Sequence, residues 1–506
     1  MKKLLLSACA FTLCFFSRAG AQGVLHFDEV SSTAYNLNAS FSDYQILALD
    51  DSLQMLTDGA NITVRLDSDY NFTLRDSKLF SEDYVVSVQG TQGLVRQSLE
   101  ETGFDGAYFT SDVLTVDEAL VFSSFQEQYS IYLKQAGAEW YVEPLSNYLP
   151  TAPRNLYVQY KTEDIVAVNA TCGTATTTPL GNVGGPETGG CFVTELAIGC
   201  DYTLFQDYGT VAATINRTAL ITNLTRADYK MTNGLQDDIG FKIVEHYIVT
   251  CDTCNPWTST TNINTNLNNI TNNGTSLFLN TFDLAQWWFN NPSFGGGTIG
   301  LAWVGAVCSG YRFNAIMDYS TNTNSMRCVN THEIGHNFDC QHDAGSTTTI
   351  MAPTNSGSST WSAQSISEIG SFLPTISCLG TCPSSVAVCD TLGVHNLSLR
   401  KDTAASTVTV KWLAAAGMSY RARLYNYSTA TWTSFTTAVA PLDSIVLPIP
   451  ATQCSGKFKV DIMPICTGPV YGGRKQVVFN WSRTIPLTVS ISGNQGAMVC
   501  TGGLPT

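Results

Sequence analysis

Charged residues are scarce in this sequence, and basic residues are in the minority among them. Asp, Glu, Lys and Arg make up 13% of the 506 residues, whereas typical domains contain about 25%. The 26 Lys and Arg against 41 Asp and Glu give a formal net charge of -15. So acidic a chain is poorly suited to nucleic acid or to anionic membrane surfaces, and we expect neither as a partner. The 44% share of hydrophobic residues excludes a largely disordered protein.

Long apolar runs are lacking beyond the start of the chain, so no transmembrane helix is predicted there. The start itself has the pattern of a signal peptide. Lys2 and Lys3 precede the apolar stretch Leu4–Phe16, and Ala19-Gly20-Ala21 is a small-x-small cleavage site. We therefore expect a signal peptide over 1–21, export, and no stable membrane insertion. An uncleaved membrane anchor is the alternative interpretation.

The number of cysteines also supports export from the cell. Of the 16 cysteines, Cys9 and Cys14 lie in the predicted signal peptide, and an even number remains. In an exported protein these predict mainly disulfides. Cys251 and Cys254 have the spacing of a redox or zinc pair, but no second C-x-x-C accompanies them, and a disulfide is the favoured interpretation.

Histidine is scarce as well, with six in the whole chain, yet three lie in the run 332–342. His332 and His336 are four residues apart on a predicted helix from about 324 to 338, so both face one side. Their imidazoles can meet one zinc ion, with His342 as third ligand after a turn. Glu333 is then placed to take a proton from water, as a general base. Met351 follows nine residues after His342 and is expected to form an apolar floor beneath the metal.

The turn between the second and third histidines falls at Asp339. Glycine adopts a left-handed turn most easily, but Asp tolerates it better than most residues. The alternative is that these are ordinary histidines and that Met351 is core packing. A purely structural zinc site is a further alternative, but three histidines, a free fourth position and an intact Glu333 argue against it.

The flanking sequence predicts a multidomain chain. Residues 22–190 comprise a β-rich first domain and a linker rich in Thr, Gly and Pro. Residues 191–385 mix strands and helices and predict an α/β domain. Within it we expect helices over 208–228 and about 281–289, with an Asn/Thr-rich loop before the second. Residues 386–485 predict a C-terminal β-sandwich, and 486–506 form a tail.

The motif H-E-x-x-H-x-x-D-x-x-H followed by Met351 resembles the reprolysin (adamalysin) branch of the metzincin zinc proteases. Asp343 after the third histidine supports that branch, whereas Asp339 replaces the family's glycine. The resemblance implies an α/β metzincin catalytic domain preceded by a β-rich propeptide, and a Cys308–Cys378 disulfide. The tail domain resembles fibronectin type III.

The same resemblance implies that Gly300, Leu301 and Ala302 lie on an edge strand, 299–304, that pairs with substrate backbone. Cys172 resembles the family's cysteine switch, a propeptide thiolate at the open zinc position. The competing interpretation is a disulfide at Cys172, which cysteine parity favours. A calcium ion is possible by analogy alone.

Together these features predict a secreted zinc metalloendopeptidase, made as a zymogen, with one catalytic zinc ion and protein or peptide substrates. The alternative is a secreted binding or adhesion protein with an inert or permanently inhibited metalloprotease-like domain. The oligomeric state is left open.

Overall fold

The computed structural model describes residues 22–50, 58, 60–111, 118–135, 138–166, 170–175, 191–230, 233–256, 262–291, 298–381, 395–413, 419–429, 431–438, 443–450, 453–465 and 475–483. Two compact units follow from the contacts between residues. The first comprises residues up to 84, 89–93 and 99–380, and the second comprises 85–88, 94–98 and 381 onward. In the described part of the chain, no helix is both long and apolar enough to cross a membrane.

The N-terminal region is built from strands. They are β1 (Gln22–Val30), β2 (Gln45–Leu49), β3 (Asn61–Arg65), β4 (Asp69–Asp76), β5 (Phe80–Gly90), β6 (Gly93–Gln97), β7 (Ala107–Ser111), β8 (Glu118–Phe125), β9 (Gln128–Gln135), β10 (Ala138–Pro144) and β11 (Leu156–Lys161).

Nine of these strands close a barrel in the order β1-β2-β11-β10-β9-β8-β7-β4-β3. The β1–β3 pair is parallel, and neighbours such as β1 and β2 or β8 and β9 are antiparallel. Strand β4 shows how the sequence encodes the barrel. Tyr70, Phe72 and Leu74 are buried, whereas Asn71 between them is exposed, which is the alternation of a strand with one face in a core. We call residues 22–166 without β5 and β6 the barrel domain.

The elements that follow form an α/β domain. They are β12 (Thr171–Ala175), β13 (Cys191–Cys200), α1 (Tyr202–Tyr208), α2 (Val211–Asp228), β14 (Asp238–Val249), α3 (Ile263–Asn273), β15 (Leu284–Phe289), β16 (Thr298–Trp303), β17 (Phe313–Met317), α4 (Thr323–Asn337), α5 (Ala363–Phe372) and β18 (Gly380–Thr381).

A mostly parallel sheet lies at the centre of this domain, in the order β12-β16-β17-β15-β13-β14. Only the β16–β17 pair within this run is antiparallel. All six residues of β15 are buried, as expected for an inner strand of a sheet covered on both faces.

Two of the predicted elements in this domain are wrong. The expected helix at about 281–289 is strand β15, because an inner strand buries both faces and so shows no alternation that would distinguish it from a short helix. The expected Asn/Thr-rich loop contains α3. The Asn262 side chain caps that helix by accepting from the Thr265 backbone N–H at 3.1 Å, and Ile263, Leu267 and Ile270 give it an apolar face.

The predicted helix over 208–228 is helix α2, Val211–Asp228, and the predicted first residue Tyr208 instead ends the shorter helix α1. Gly209 ends α1 in a left-handed conformation, with φ of 72°. Thr210 then starts α2, its hydroxyl accepting from the Ala213 N–H at 3.1 Å. Gly209 ends one helix and Thr210 caps the next, and together they separate α1 from α2.

The second unit contains the C-terminal strands. They are β19 (His395–Asp402), β20 (Thr407–Leu413), β21 (Ser419–Asn426), β22 (Thr431–Trp432), β23 (Thr436–Ala438), β24 (Ser444–Pro448), β25 (Ser455–Ile465) and β26 (Lys475–Ser482).

These strands form two antiparallel sheets, one ordered β19-β20-β24 and one ordered β22-β21-β25-β26 with β23 beside β21. Side chains from both sheets share one core, including Trp412, Tyr420, Leu447 and Trp481. This is the layout of a β-sandwich. Resemblance to fibronectin type III stays a prediction.

Candidate metal centre

Helix α4 carries the first two histidines of the motif. Asn322 caps its start by accepting from the Ser325 N–H at 2.8 Å. Every residue of α4 except Ser325 is buried, so the helix runs through the interior of the domain. The predicted span of about 324–338 agrees with the observed Thr323–Asn337. His332 and His336 lie one turn apart, with ring centroids 4.6 Å apart.

The chain leaves this helix at Asp339, which has φ of 76°. The Asp339 N–H donates to the His336 carbonyl at 2.9 Å, and the Cys340 N–H donates to the Gly335 carbonyl at 3.0 Å. This pair of bonds is a Schellman motif with its left-handed residue at Asp339. The aspartate therefore adopts the left-handed turn that glycine would otherwise provide, and the chain returns to bring His342 toward the helix.

The three imidazoles converge on one point. The Nε2 atom of His342 lies 3.2 Å from Nε2 of His332 and 3.3 Å from Nε2 of His336. Two nitrogens bound to one zinc ion at 2.0–2.1 Å with tetrahedral angles are about 3.3 Å apart. The spacing of the nitrogens therefore fits a shared metal ion.

Hydrogen bonds on the opposite ring atoms fix which nitrogen is available. Nδ1 of His332 is 2.7 Å from the Ile350 carbonyl, and Nδ1 of His336 is 2.6 Å from the Cys340 carbonyl. A carbonyl can only accept, so each Nδ1 carries the proton and each Nε2 presents a lone pair. Burial lowers the pKa of His332 to about 3 and lowers the pKa of His336 and His342 too. Neutral rings are the form that binds metal.

Glu333 lies beside the first of these histidines, with a carboxylate oxygen within 4.8 Å of a His332 ring nitrogen. Its carboxylate is fully buried, and neither oxygen has a hydrogen-bond partner at ordinary distance among the described residues. Burial raises its pKa well above the usual value, and the nearby Cys172 thiol partly offsets this. An orphaned buried carboxylate next to three converging imidazoles is expensive for stability. Such an arrangement is typical of a catalytic site.

Gly300 in β16 makes room for this carboxylate. A Cβ atom at residue 300 would lie 2.2 Å from Oε1 of Glu333 and 2.6 Å from its Cδ. Any larger residue at this position would therefore displace the carboxylate.

Met351 packs against helix α4 at Gly335. It is fully buried, and its Sδ would be 2.7 Å from a Cβ on Gly335, which lies between the two helical histidines. The Met351 carbonyl accepts from the Asp343 N–H at 2.9 Å. Oδ1 of Asp343 accepts from the Ser362 hydroxyl at 2.6 Å. These bonds tie the segment after His342 to the start of α5.

Asn337 fixes the edge strand relative to the helix. Its Nδ2 donates to the Trp303 carbonyl at 2.9 Å and to the Phe313 carbonyl at 3.2 Å, and its Oδ1 accepts from Nδ2 of Asn314 at 2.8 Å. Asn337 directly follows the second histidine of the motif, but its role requires the fold, because its partners are 23 to 34 residues away.

Strand β12 occupies the free edge of β16. The two strands are parallel, with Cys172 opposite Gly300 and Gly173 opposite Leu301. On the other side, the Cys172 N–H donates to the Pro353 carbonyl at 3.2 Å. The strand that resemblance assigns to substrate pairing, residues 300–302, is therefore paired on that edge with a segment of the same chain.

Cys172 is buried and free, so the disulfide interpretation is wrong for this residue. Its Sγ, a ring nitrogen of His332 and a carboxylate oxygen of Glu333 all lie within 4.8 Å of one another. The parity argument fails because Cys200, Cys328 and Cys340 are free as well. These three are buried in the fold, and nothing in the local sequence distinguishes them from bonded cysteines.

Two disulfides join pairs of described residues in the first unit. Cys308 and Cys378 are bonded, with their Cα atoms 5.9 Å apart. This bond ties the loop after β16 to the segment after α5. Cys251 and Cys254 are bonded to each other, so their thiols are not metal ligands.

Comparison with known proteins gives a family for this region. Residues 193–384 match the model of metallo-peptidase family M12 named Reprolysin_5. A zinc metalloproteinase-disintegrin-like protein of Bungarus fasciatus, BfMP, is 45% identical over 56 residues, which is 11% of this chain and 9% of that protein. Another zinc metalloproteinase-disintegrin-like protein, from Cerberus rynchops, is 37% identical over 67 residues, or 13% of this chain and 11% of that protein.

The chain thus matches only about a tenth of the length of these relatives. Among solved structures, metalloproteinase-II from Bacteroides fragilis aligns over 70% of this chain and 98% of its own, with a TM-score of 0.36 and 11% identity. The matched family model and the two relatives agree with one another, because each is named as a metallopeptidase or metalloproteinase. Residues 193–384 of this chain therefore match a reprolysin-like domain of metallopeptidase family M12.

Proposed function

We propose that this protein is a secreted zinc-dependent endopeptidase that is made as a zymogen. The observation that carries the proposal is the convergence of three Nε2 atoms, with that of His342 3.2 and 3.3 Å from the other two, near the buried carboxylate of Glu333. His332, His336 and His342 would hold one zinc ion, and Met351 would form the floor of the site. Three ligands leave a fourth position open, as catalytic zinc sites require.

Zinc bound there would polarise a substrate carbonyl and lower the pKa of water to near neutrality. Glu333 accepts a proton from water at a carboxylate oxygen while the water oxygen attacks the carbonyl carbon of the peptide bond. The same carboxyl group then donates the proton to the leaving amine nitrogen as the C–N bond breaks. Burial raises the pKa of the Glu333 carboxyl group, which strengthens its carboxylate as the proton acceptor in the first step.

Substrate would bind along β16. Gly300, Leu301 and Ala302 are placed to pair with an extended peptide through backbone hydrogen bonds, as in other cases of strand addition. Cys172 and Gly173 of β12 now pair with this edge. A peptide and β12 cannot both occupy it, so β12 must leave before substrate binds.

Cys172 would provide the second part of the inhibition. Its position within 4.8 Å of Glu333 and a His332 nitrogen supports a thiolate at the open zinc position. The linker residues 176–190, where composition suggests the activating cut, lie outside the described residues. Cleavage there would free β12 from its C-terminal attachment.

The substrates would be proteins or peptides, as for the metalloproteinases that this chain resembles in part. The alternative of an inert adhesion protein has less support, because the ligand set and Glu333 are intact. Export rests on the sequence pattern at residues 1–21.

The test is cleavage of a denatured protein by the exported, processed enzyme, with and without a zinc chelator. Cleavage should stop with chelator and return with added zinc. Glu333→Gln should bind zinc normally and cleave at least about 100-fold more slowly, since general base catalysis contributes roughly 10²–10⁴ in rate. Full activity of that variant, or cleavage that ignores the chelator, would exclude the proposal.

A further inference from the structure

The N-terminal region does more than place β12 in the cleft, because residues at both ends of β5 bond to β14 of the metallopeptidase domain. The Ile243 N–H donates to the Leu79 carbonyl at 2.7 Å, and the Thr250 N–H donates to the Gln89 carbonyl at 2.9 Å. Strand β14 would otherwise end the sheet with unpaired backbone groups, which folded proteins normally cover.

A buried histidine links the two parts beside this strand. Nδ1 of His246 in β14 is 2.7 Å from the Tyr84 hydroxyl, and its Nε2 is 2.8 Å from the Thr218 hydroxyl. His246 is fully buried, and burial lowers its pKa to about 3. The ring is therefore neutral, and Tyr84 satisfies a nitrogen that would otherwise be buried without a partner.

Helix α2 bonds to the barrel domain at three positions between 216 and 226. Thirteen of its 18 residues are buried, including polar ones that face the barrel. Nδ2 of Asn223 donates to the Ser123 hydroxyl at 3.3 Å, and the Tyr108 hydroxyl donates to Oδ1 of Asn216 at 2.8 Å. Arg226 also donates to the Ser77 carbonyl.

The barrel domain also contacts the start of the histidine-bearing helix. The Thr323 hydroxyl donates to Glu143 at 2.6 Å, and the Tyr141 hydroxyl donates to Oδ1 of Asn324 at 2.8 Å. Glu143 is fully buried, and burial raises its pKa. The Thr323 N–H also donates to Oε1 of Glu143, at 3.4 Å, so this carboxyl group satisfies one orphan N–H at the positive end of the helix dipole.

Strand β12 is held much more lightly. It is five residues long, pairs with one edge of β16, and is tied on its other side through Ala170 and Cys172 to the segment 353–355. Cys172 is the only cysteine between residues 22 and 175, and it is free. No disulfide therefore joins the barrel domain or β12 to the rest of the chain.

From this contrast we infer that the barrel domain is a permanent noncovalent subunit of the metallopeptidase domain. After the chain is cut between Ala175 and Cys191, β5 and the barrel stay bound, and only β12 leaves the cleft as the new C-terminal tail of the barrel fragment. Retention of the barrel stands on the contacts above, whereas departure of β12 rests on the proposed function.

The experiment uses the full chain with Glu333→Gln and a recognition sequence for a specific protease in place of residues 184–189. The inactive variant prevents self-cleavage, so the result does not depend on peptidase activity. After the cut, both fragments should elute together in size-exclusion chromatography at submicromolar concentration and separate only in denaturant. Separate elution of two folded fragments would overturn the inference.

A matched pair of variants tests whether the described contacts hold the fragments together. Tyr84→Phe leaves a buried nitrogen of His246 without its partner, which should weaken the fragment complex roughly 5- to 150-fold. Tyr70→Phe is the control, because its hydroxyl bonds to Asp67 within the barrel domain at 2.9 Å. Equal dissociation constants for both variants would place the interface elsewhere.

Thiol labelling of Cys172 separates the two parts of the inference. The thiol should resist a maleimide reagent in the uncut chain and lose this protection after the cut, while the fragments still co-elute. Continued protection after the cut would show that β12 stays in the cleft, contradicting the second part and leaving the first intact.

Discussion

Substitution of Gly300 by alanine probes the geometry around the carboxylate of Glu333. The added Cβ would lie 2.2 Å from Oε1, 2.6 Å from Cδ and 2.7 Å from Cγ, whereas ordinary contact begins near 3.4 Å. The whole end of the Glu333 side chain must therefore move by about 1 Å, and it has no open space to enter because it is fully buried. A displacement of about 1 Å in a catalytic group can reduce the rate roughly 100-fold, or about 2.7 kcal/mol.

The assay is kcat/KM of the processed enzyme on a fluorogenic peptide, with zinc content measured on the same samples. Gly300→Ala should lose about 100-fold in kcat/KM and keep its zinc, since the three histidines are unaffected. Gly310→Ala is the matched control, because a Cβ there meets nothing within 4 Å. Full kcat/KM for Gly300→Ala would refute both the close packing and the role of Glu333.

Three further predictions follow from single positions. Asp339→Ala should lower stability by roughly 1–2 kcal/mol and Asp339→Gly should not, because alanine resists the left-handed conformation; equal thermal unfolding midpoints would contradict this. Cys172→Ser should give the uncut chain more peptidase activity than the uncut wild type, and no gain would argue against a thiolate lock. Burial raises the pKa of Asp201 to about 6, above its unfolded value, so its contribution to stability is full below about pH 4 and is lost as pH rises to 6. Denaturant unfolding should therefore show wild type gaining on the order of 2–3 kcal/mol over Asp201→Asn between pH 7 and pH 4, and parallel profiles would contradict the raised pKa.

The sequence could predict the histidine motif at the centre of the site because the residues of that motif lie close together in the chain. Helical spacing alone places His332 and His336 on one face, and the observed helix Thr323–Asn337 follows the predicted span closely. The left-handed turn at Asp339 also follows from the conformational tolerance of aspartate.

Contacts between residues that are far apart in the sequence could not be predicted in the same way. Tyr84 and His246 are 162 residues apart in sequence, and nothing in either segment marks the other as its partner. The sequence leaves a free thiol and a disulfide both open at Cys172, because the parity argument assumes that every exported cysteine is bonded, whereas Cys172 is free. Strand β15 was mistaken for a helix because burial on both faces removes the alternation that identifies a strand.

The most direct test of the central claim is the zinc content of three purified chains: wild type, His342→Ala and His26→Ala. His26 is the control because it lies with Asp28 and Asp50 in a separate, more exposed group of possible ligands. We expect one zinc ion per chain in wild type and in His26→Ala, and loss of zinc in His342→Ala. Equal zinc in all three chains, or none in the wild type, would contradict the account.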